Sequence, residues 1–433
     1  MGSLPSQSRA SRFVGKWNSR EQIAQFLKNM LPITASRDSS LNANCSREPS
    51  TMQMSREGGL GKTVCMLTSI HSAFDVRIYE KEARSLTSAG FRVVIVAPHD
   101  KNEQREGVEI VAVRRSVNRL QRMTRGIWDV YRKAKKSDAL VYHFHDPELI
   151  PVGLLLKLHG KRVVYDVHED VPRDILVKNW ITPILRKPAA FGAALAHFFS
   201  ALVFDGVIVA TPAIANRFPS KKTVTVQNFP RLEMPEEVSS HFYADRGPLV
   251  AYIGGISDQR GAREMVRAMS FLRGFPEARL ILAGEFEEFE LEQELRETPG
   301  FEKVDYRGWL KREAVGDVLD ATRAGLVLFH PFQSYMEAQP NKLFEYMSMG
   351  LPVIASDFLL WRKIVGDIGC GLLVDPLDPA EIARAIEWIL SHPRESAEMG
   401  RRGAEAVRTH YNWEIEEGKF LGFYQQLTNG HKI

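Results

Sequence analysis

The chain has 433 residues, 44% of them apolar and 25% charged, and a formal net charge of +4, the composition of a globular protein with room for two domains and a tail. No window of 18 or more apolar residues and no apolar core near the start argue against a spanning helix or a secretory leader. Cys45, Cys65 and Cys370 lie too far apart for a disulfide framework or a cysteine-based zinc site, and so few cysteines suit a reducing cytosol.

Residues 1–62 read as a poorly structured arm, rich in Ser, Arg and Asn, in which only Arg20–Leu31 shows helix-like apolar spacing. The arm is expected to be dispensable for activity. Its end, Glu57-Gly-Gly-Leu-Gly-Lys-Thr63, imitates part of a phosphate-binding P-loop. It enters a strand instead of leaving one, and it lacks the leading glycine. From residue 63 strands and helices alternate, with buried strands predicted at Thr63–Ser69, Arg92–Ala97, Val108–Val113, Ala139–Phe144, Arg162–Val167 and Gly206–Thr211. A second run starts at Pro248, with strands at Leu249–Ile253, Ala278–Ala283, Gly325–Phe329, Pro352–Ala355 and Gly371–Asp375. Such alternation implies two doubly wound α/β domains, 63–230 and 248–410, followed by a closing helix within 411–433. Ligands of these sheets bind beyond the carboxyl ends of the strands, so the site belongs in the cleft where the domains face each other.

In the first domain, the loop His71–Arg77 follows the first strand, and Arg77 is a candidate contact for a phosphate or another anion. His143-Phe-His-Asp-Pro147 ends one strand and Tyr165-Asp-Val-His-Glu-Asp170 the next. His143 and His145 alternate with Phe144 and share one face. With Asp146 they have the donor types of a metal site, but no further ligand cluster accompanies them and no metal is expected. His-acid pairs at two successive strand ends make His168 and Glu169 candidates for a functional site in the cleft. The segment Trp180–Phe199 mixes aromatic, apolar and basic residues, which suits a membrane interface as well as a buried helix.

The second domain opens with Tyr252-Ile-Gly-Gly-Ile-Ser-Asp-Gln-Arg-Gly261, a strand, a glycine turn and a helix start that form an anion nest with Arg260 as phosphate contact. Most informative is Glu337-Ala-Gln-Pro-Asn-Lys-Leu-Phe-Glu345, followed by Tyr346-Met-Ser-Met-Gly-Leu-Pro-Val-Ile-Ala355. It sets two carboxylates eight positions apart, the second reading as the opening of an apolar helix that ends at Gly350. A carboxylate accepts hydrogen bonds from sugar or ribose hydroxyls, while free N–H groups at a helix start hold phosphate. One segment thereby grips both parts of a nucleotide-sugar.

This segment resembles the Glu-x7-Glu signature of the family 4 retaining glycosyltransferases, and the likeness runs over roughly residues 63–428. The resemblance implies the GT-B fold, two Rossmann-like domains facing across a cleft. It implies transfer of a sugar from a nucleoside-diphosphate donor to an acceptor hydroxyl with retention, without a metal or other cofactor. It implies Glu337 against the transferred sugar and Glu345 on the ribose, His145 beside the donor sugar, and Asp146 nearby. Donor contacts follow at Gly254, Gly255, Arg260, Asn341, Lys342 and Leu343, with Gly284 and Leu310 in loops flanking the base. The chain departs from the family at Gly255, where an arginine is usual, and at Arg260, where a lysine is; Lys342 is the candidate for the missing cation. A rival enzyme of the same fold, an epimerase, and a non-catalytic nucleotide-sugar-binding protein stay open.

Residues 246–433 hold 22 Lys and Arg against 29 Asp and Glu, a balance of −7, and residues 1–245 hold the remaining 35 against 24, or +11. A basic first half suggests an anionic partner. The expectation is a lipid-linked or glycan acceptor at an anionic membrane surface, with the protein cytoplasmic and peripheral on the inner face. Nucleic acid is not expected, because no aromatic-basic binding motif accompanies the charge.

Overall fold

The computed structural model describes residues 61–177, 181–232 and 243–429. The arm up to residue 60 with its Arg20–Leu31 stretch, most of the P-loop-like segment, Trp180 and Met234-Pro-Glu236 lie outside the described residues.

The first lobe is an eight-stranded sheet: β1 (Thr63–Leu67), β2 (Arg92–Pro98), β3 (Glu103–Arg105), β4 (Val108–Val113), β5 (Val141–Phe144), β6 (Arg162–Val167), β7 (Gly206–Val209) and β8 (Thr223–Thr225). The order is β3-β4-β2-β1-β5-β6-β7-β8, parallel except for β3, which turns back on β4. The central strands are continuous Val, Ile and Leu runs because helices cover both faces and leave no solvent side for polar residues. Helix α1 starts as a wide-turned segment, Val76–Ala83, and continues over Arg84–Ser88. It packs on one face, where Ile78, Tyr79 and Leu86 enter the core. On the other face lie α2 (Ile127–Lys136), preceded by short turns over Arg119–Gln121 and Arg122–Gly126, then α3 (Ile150–Leu158) and α5 (Pro183–Val203), which contribute Val130, Val152, Leu156 and Ala201. Short α4 (Val171–Val177) follows β6 at the cleft.

The second lobe has six parallel strands, β9 (Leu249–Ile253), β10 (Arg279–Ala283), β11 (Val304–Gly308), β12 (Ala324–Val327), β13 (Val353–Ser356) and β14 (Gly371–Val374), in the order β11-β10-β9-β12-β13-β14. Its helices include α6 (Ala262–Phe271), α7 (Asn341–Ser348), α8 (Pro379–Ser391) and α9 (Pro393–Thr409). The last helix, α10 (Trp413–Thr428), returns to the first lobe and buries Trp413, Phe420, Tyr424 and Leu427 in its core. Each such side chain contributes about 1.5–3 kcal/mol. The Trp413 indole donates to Ser85 Oγ at 3.0 Å and its backbone N–H to the Pro230 carbonyl at 2.8 Å, which fastens the linker between the lobes.

Two sequence readings are corrected here. Arg77 is not in a loop. Asp75 Oδ1 caps α1 by accepting from the N–H groups of Arg77 and Ile78 at 2.8 and 3.1 Å, so Arg77 lies in the first helical turn. Glu345 does not open its helix either: α7 begins at Asn341, behind Pro340, and Glu345 is one turn inside.

Candidate active site

The carboxyl ends of both sheets open on a cleft of about 590 Å3 between the lobes. Ten of the residues singled out in the sequence line it: Arg77, His168 and Glu169 from the first lobe, and Gly254, Gly255, Arg260, Glu337, Asn341, Lys342 and Glu345 from the second.

The second-lobe wall is built from the turn after β9 and the start of α7. Gly284 does not line the cleft; it backs the turn. Its φ is +145°, and a Cβ there would lie 2.0 Å from the Gly254 carbonyl oxygen, so only glycine lets the strand ends of β9 and β10 approach this closely. Gly255 leaves room for Arg260, whose guanidinium folds back to donate to the Gly255 carbonyl at 3.0 Å and pairs with Glu287 at 2.9 Å. A Cβ at 255 would lie 2.5 Å from Arg260 Nη1. Arg260 therefore fills the space beside Gly255 from five positions further along the chain.

Lys342 stands beside it. Its Nζ is buried without a hydrogen-bond partner and lies 3.5 Å from the centre of the Tyr252 ring. Burial, then the charge of Arg260, hold the Lys342 ammonium well below the usual lysine range, while Glu345 and Glu287 pull it back up. Pro340 provides no side-chain cap to α7, so the N–H groups at Asn341 and Lys342 begin a bare positive helix end. Glu345 is exposed on the same wall. Leu343 is fully buried in the core beneath it, its N–H bonded to the Pro340 carbonyl at 3.0 Å. Leu310 packs against the same core and is not among the residues lining the cleft. Neither is placed to contact a ligand with its side chain.

The first-lobe wall differs from the sequence reading. His145 and Asp146 are 3% and 1% exposed and do not line the cleft. Asp146 turns back to accept from Thr68 Oγ1 at 2.9 Å and from the Ser69 N–H at 2.6 Å. His145 joins a buried cluster with His143, Glu82 and Asp166. Asp166 is clamped by Arg77, whose Nε and Nη2 donate to its two oxygens at 3.1 Å each, and Arg77 Nε also lies 2.9 Å from Glu82. Burial opposes ionisation of Asp166, but Arg77 and His168 outweigh it and hold the carboxyl well below its usual range. Burial and the neighbouring Asp166 charge push Glu82 well above its own. Tyr424 bonds His143 Nδ1 at 2.8 Å, and His168 bonds His145 Nδ1 at 3.0 Å. His168 and Arg77 are therefore the members of this cluster that reach the cleft, and burial pushes the His168 imidazole down to about 4.

The ligand cluster absent from the sequence pattern does exist: Glu82 and Asp166, not Asp146, complete the set with the two histidines. Their donor types suit a divalent ion. The Arg77 guanidinium already sits on both carboxylates, however, and burial with the Asp166 charge disfavours ionisation of Glu82.

Sequence reasoning missed Arg173. From α4 it reaches across the cleft to hydrogen-bond Glu337, while it and Arg217 also pair with Asp170. Asp170, Asp174 and Tyr335 line the cleft as well. A charged residue three positions past the His-Glu-Asp strand end was the available signal for Arg173; its partner, 164 positions away, was not.

Two family models match the chain, Glycosyl transferase 4-like domain over residues 77–228 and Glycosyl transferases group 1 over residues 234–406. The phosphatidyl-myo-inositol mannosyltransferase of Mycolicibacterium smegmatis is 28% identical over 193 residues, 43% of this chain and 47% of that one. The alpha-D-kanosaminyltransferase of Streptomyces kanamyceticus is 23% identical over 193 residues, 44% and 49%. The chain thus spans about half the length of these curated relatives. Among solved structures, sucrose-phosphate synthase from Thermosynechococcus elongatus superimposes with a TM-score of 0.68 at 20% identity, covering 85% of this chain and 99% of that one. Anabaena HepE in complex with UDP-glucose gives 0.63 at 14%, covering 84% and 99%. The chain joins a glycosyl transferase 4-like domain to a glycosyl transferases group 1 domain in the GT-B fold of the glycosyltransferases.

Proposed function

We propose that this protein transfers a sugar from a nucleoside-diphosphate donor to the hydroxyl of a glycan or lipid-linked acceptor, with retention of configuration. The observation that carries the reading is the second-lobe wall: two carboxylates, Glu337 and Glu345, flank two cations, Arg260 and Lys342, and an uncapped helix start. Carboxylates suit hydroxyls, and the cations with the N–H groups suit a diphosphate. The bond from the anomeric carbon to the diphosphate breaks as the bond to the acceptor oxygen forms. The acceptor proton leaves with the departing diphosphate oxygen.

Arg260, Lys342 and the start of α7 neutralise that oxygen, in place of a metal or other cofactor. An arriving diphosphate offsets the burial that disfavours the Lys342 charge, so this cation gains strength where the leaving group needs it. Glu337 takes the sugar and Glu345 the ribose. On the opposite wall, His168, Glu169 and Arg173 face the acceptor, and His145 acts through His168 without touching the sugar. The UDP-glucose complex of HepE and the lipid named in the mannosyltransferase relative support these donor and acceptor classes.

A thermal-shift screen over UDP-, GDP- and ADP-sugars tests the donor. Incubation of the best donor with and without an acceptor lipid, read as released nucleoside diphosphate and glycosylated product, tests the transfer. An altered free sugar from donor alone would mark an epimerase. Donor binding without turnover under any acceptor would mark a binding protein.

A further inference from the structure

Two surface stretches of the first lobe carry large apolar side chains into solvent among cations. Between Arg114 and Trp128 the sequence has five arginines and no carboxylate. There Val117, Leu120, Met123 and Trp128 are 89%, 76%, 57% and 52% exposed. Helix α5 has no acidic residue along its length, and it exposes Ile184, Leu185 and Phe191 around Arg186 and Lys187.

Both stretches belong to the end of the sheet that opens on the cleft. The first leaves the carboxyl end of β4 at Val113, and Arg122 ties it to Glu148, just beyond the carboxyl end of β5. The second follows α4, whose Arg173 lines the cleft, and α5 then runs back along the sheet to β7. No described helix is long and apolar enough to cross a membrane, so this apolar surface is not part of a span.

Cations alternating with exposed hydrocarbon ask two things of a partner: negative charge, and a medium that takes up apolar side chains. Nucleic acid offers the first, and an anionic bilayer offers both. We propose that residues 114–128 and 184–191 dock on an anionic bilayer, with the mouth of the cleft turned toward the headgroups. The proposal stands on the surface alone and deepens the transfer reading by naming where a lipid-borne acceptor would arrive.

The test is flotation of the full chain with phosphatidylcholine vesicles with and without phosphatidylglycerol, at low and high salt. Binding is expected with the anionic vesicles only, lost at high salt. Arg114→Glu/Arg115→Glu/Arg125→Glu should weaken it on the order of 10²-fold, since each cation near such a surface is worth about 1 kcal/mol. Leu120→Ser/Met123→Ser should weaken it even at low salt. Both sets are exposed, and nucleotide affinity, unchanged in each, reports that the variants fold. Equal binding to both vesicle types, binding to neither, or binding indifferent to the charge reversal would overturn the proposal. So would loss of binding on charge reversal alone together with equal competition from duplex RNA, which would make this a nucleic-acid surface. Absence of nucleotide binding in the wild type would instead sink the donor reading and leave the docking result standing.

Discussion

The two lobes share one architecture and treat their ionisable residues in opposite ways. In the first, the charged and imidazole groups at the ends of β5 and β6 turn inward, where Glu82, His143, His145 and Asp166 are at most 3% exposed and Arg77 is 2% exposed. In the second, Arg260 and Glu337 stand in the turns before α6 and α7, Glu345 is one turn inside α7, and all three face the cleft. A charge taken out of water must find its partners inside the fold, and partners so occupied hold shape and are not free to meet a ligand. On the cleft wall the pairs of Arg260 with Glu287 and of Glu337 with Arg173 are partly exposed and weak, so a ligand can exchange for them. The first lobe's motif thus reads as scaffold that reaches the cleft at His168 and Glu169, and the second lobe's as the binding surface.

The sharpest way to break this comparison is to remove one buried partner. Asp166→Ala leaves the Arg77 guanidinium buried with only Glu82, whose ionisation burial disfavours, and the Val226 carbonyl. The expected loss is about 3–5 kcal/mol in denaturant unfolding. An Asp166→Ala protein as stable as the wild type, with activity alone lost, would mean that the cluster is an active site and not a support.

The cleft wall should respond the other way. Glu337→Ala removes a half-exposed ion pair with Arg173, so stability is expected to change by no more than about 1 kcal/mol. Turnover should fall on the order of 10²-fold while the affinity for free nucleoside diphosphate holds, because Glu337 is assigned to the sugar. Equal losses of turnover and nucleotide affinity would move Glu337 away from the sugar.

Why one lobe's site was legible in the sequence and the other's was not follows from the same contrast. The Glu337–Glu345 segment is local: its carboxylates, cation and helix start lie within nine residues, and spacing alone brings them together. The sheets were legible because Val93-Val-Ile-Val96 and its counterparts have no polar face to hide. Strands β3 and β8 were not, since three residues of Glu-Gln-Arg or Thr-Val-Thr carry no period. Glu82 was illegible for a physical reason. Val76–Ala83 has the charges of an exposed helix, and only Asp166 and His143, far along the chain, make burying Arg77 and Glu82 possible. The inward turn of His145 follows from the same distant partners.

A smaller effect separates the two carboxylates of the second lobe. Glu345→Gln keeps the side chain's shape and halves its capacity to accept from a ribose diol. Nucleotide affinity is expected to weaken about tenfold, close to 1.4 kcal/mol, as for loss of a charge-assisted hydrogen bond. Titration calorimetry with the free nucleoside diphosphate reads this directly. An unchanged affinity would take Glu345 off the ribose and leave Arg260 and Lys342 to hold the diphosphate without it.

The smallest effect tests the contrast through pH. In the first lobe, burial lowers the imidazoles of His143, His145, His168 and His197, the last to about 4 with Arg217 adding to the effect. In the second lobe, the Glu264 hydrogen bond raises His330. His71, beside Asp75 and Asp146, is raised despite its burial. A lowered imidazole stays neutral in the folded state while the unfolded chain takes up a proton below about 6.5, so stability falls as pH drops from 6.5 toward 4. The raised His71 and His330 act in the opposite sense, so the total curve does not isolate any one group. His197 can be isolated, because it sits away from the cleft, against Phe218 and within 3.2 Å of the Tyr165 hydroxyl. His197→Gln preserves an acceptor for that hydroxyl and removes the titration. The variant's deficit relative to the wild type, measured by urea unfolding, is expected to be smaller at pH 5.5 than at pH 7.5 by about 1 kcal/mol. A deficit that stays constant across that range would show that His197 takes up its proton in the folded protein, and that the first lobe's interior is less closed to charge than its geometry makes it.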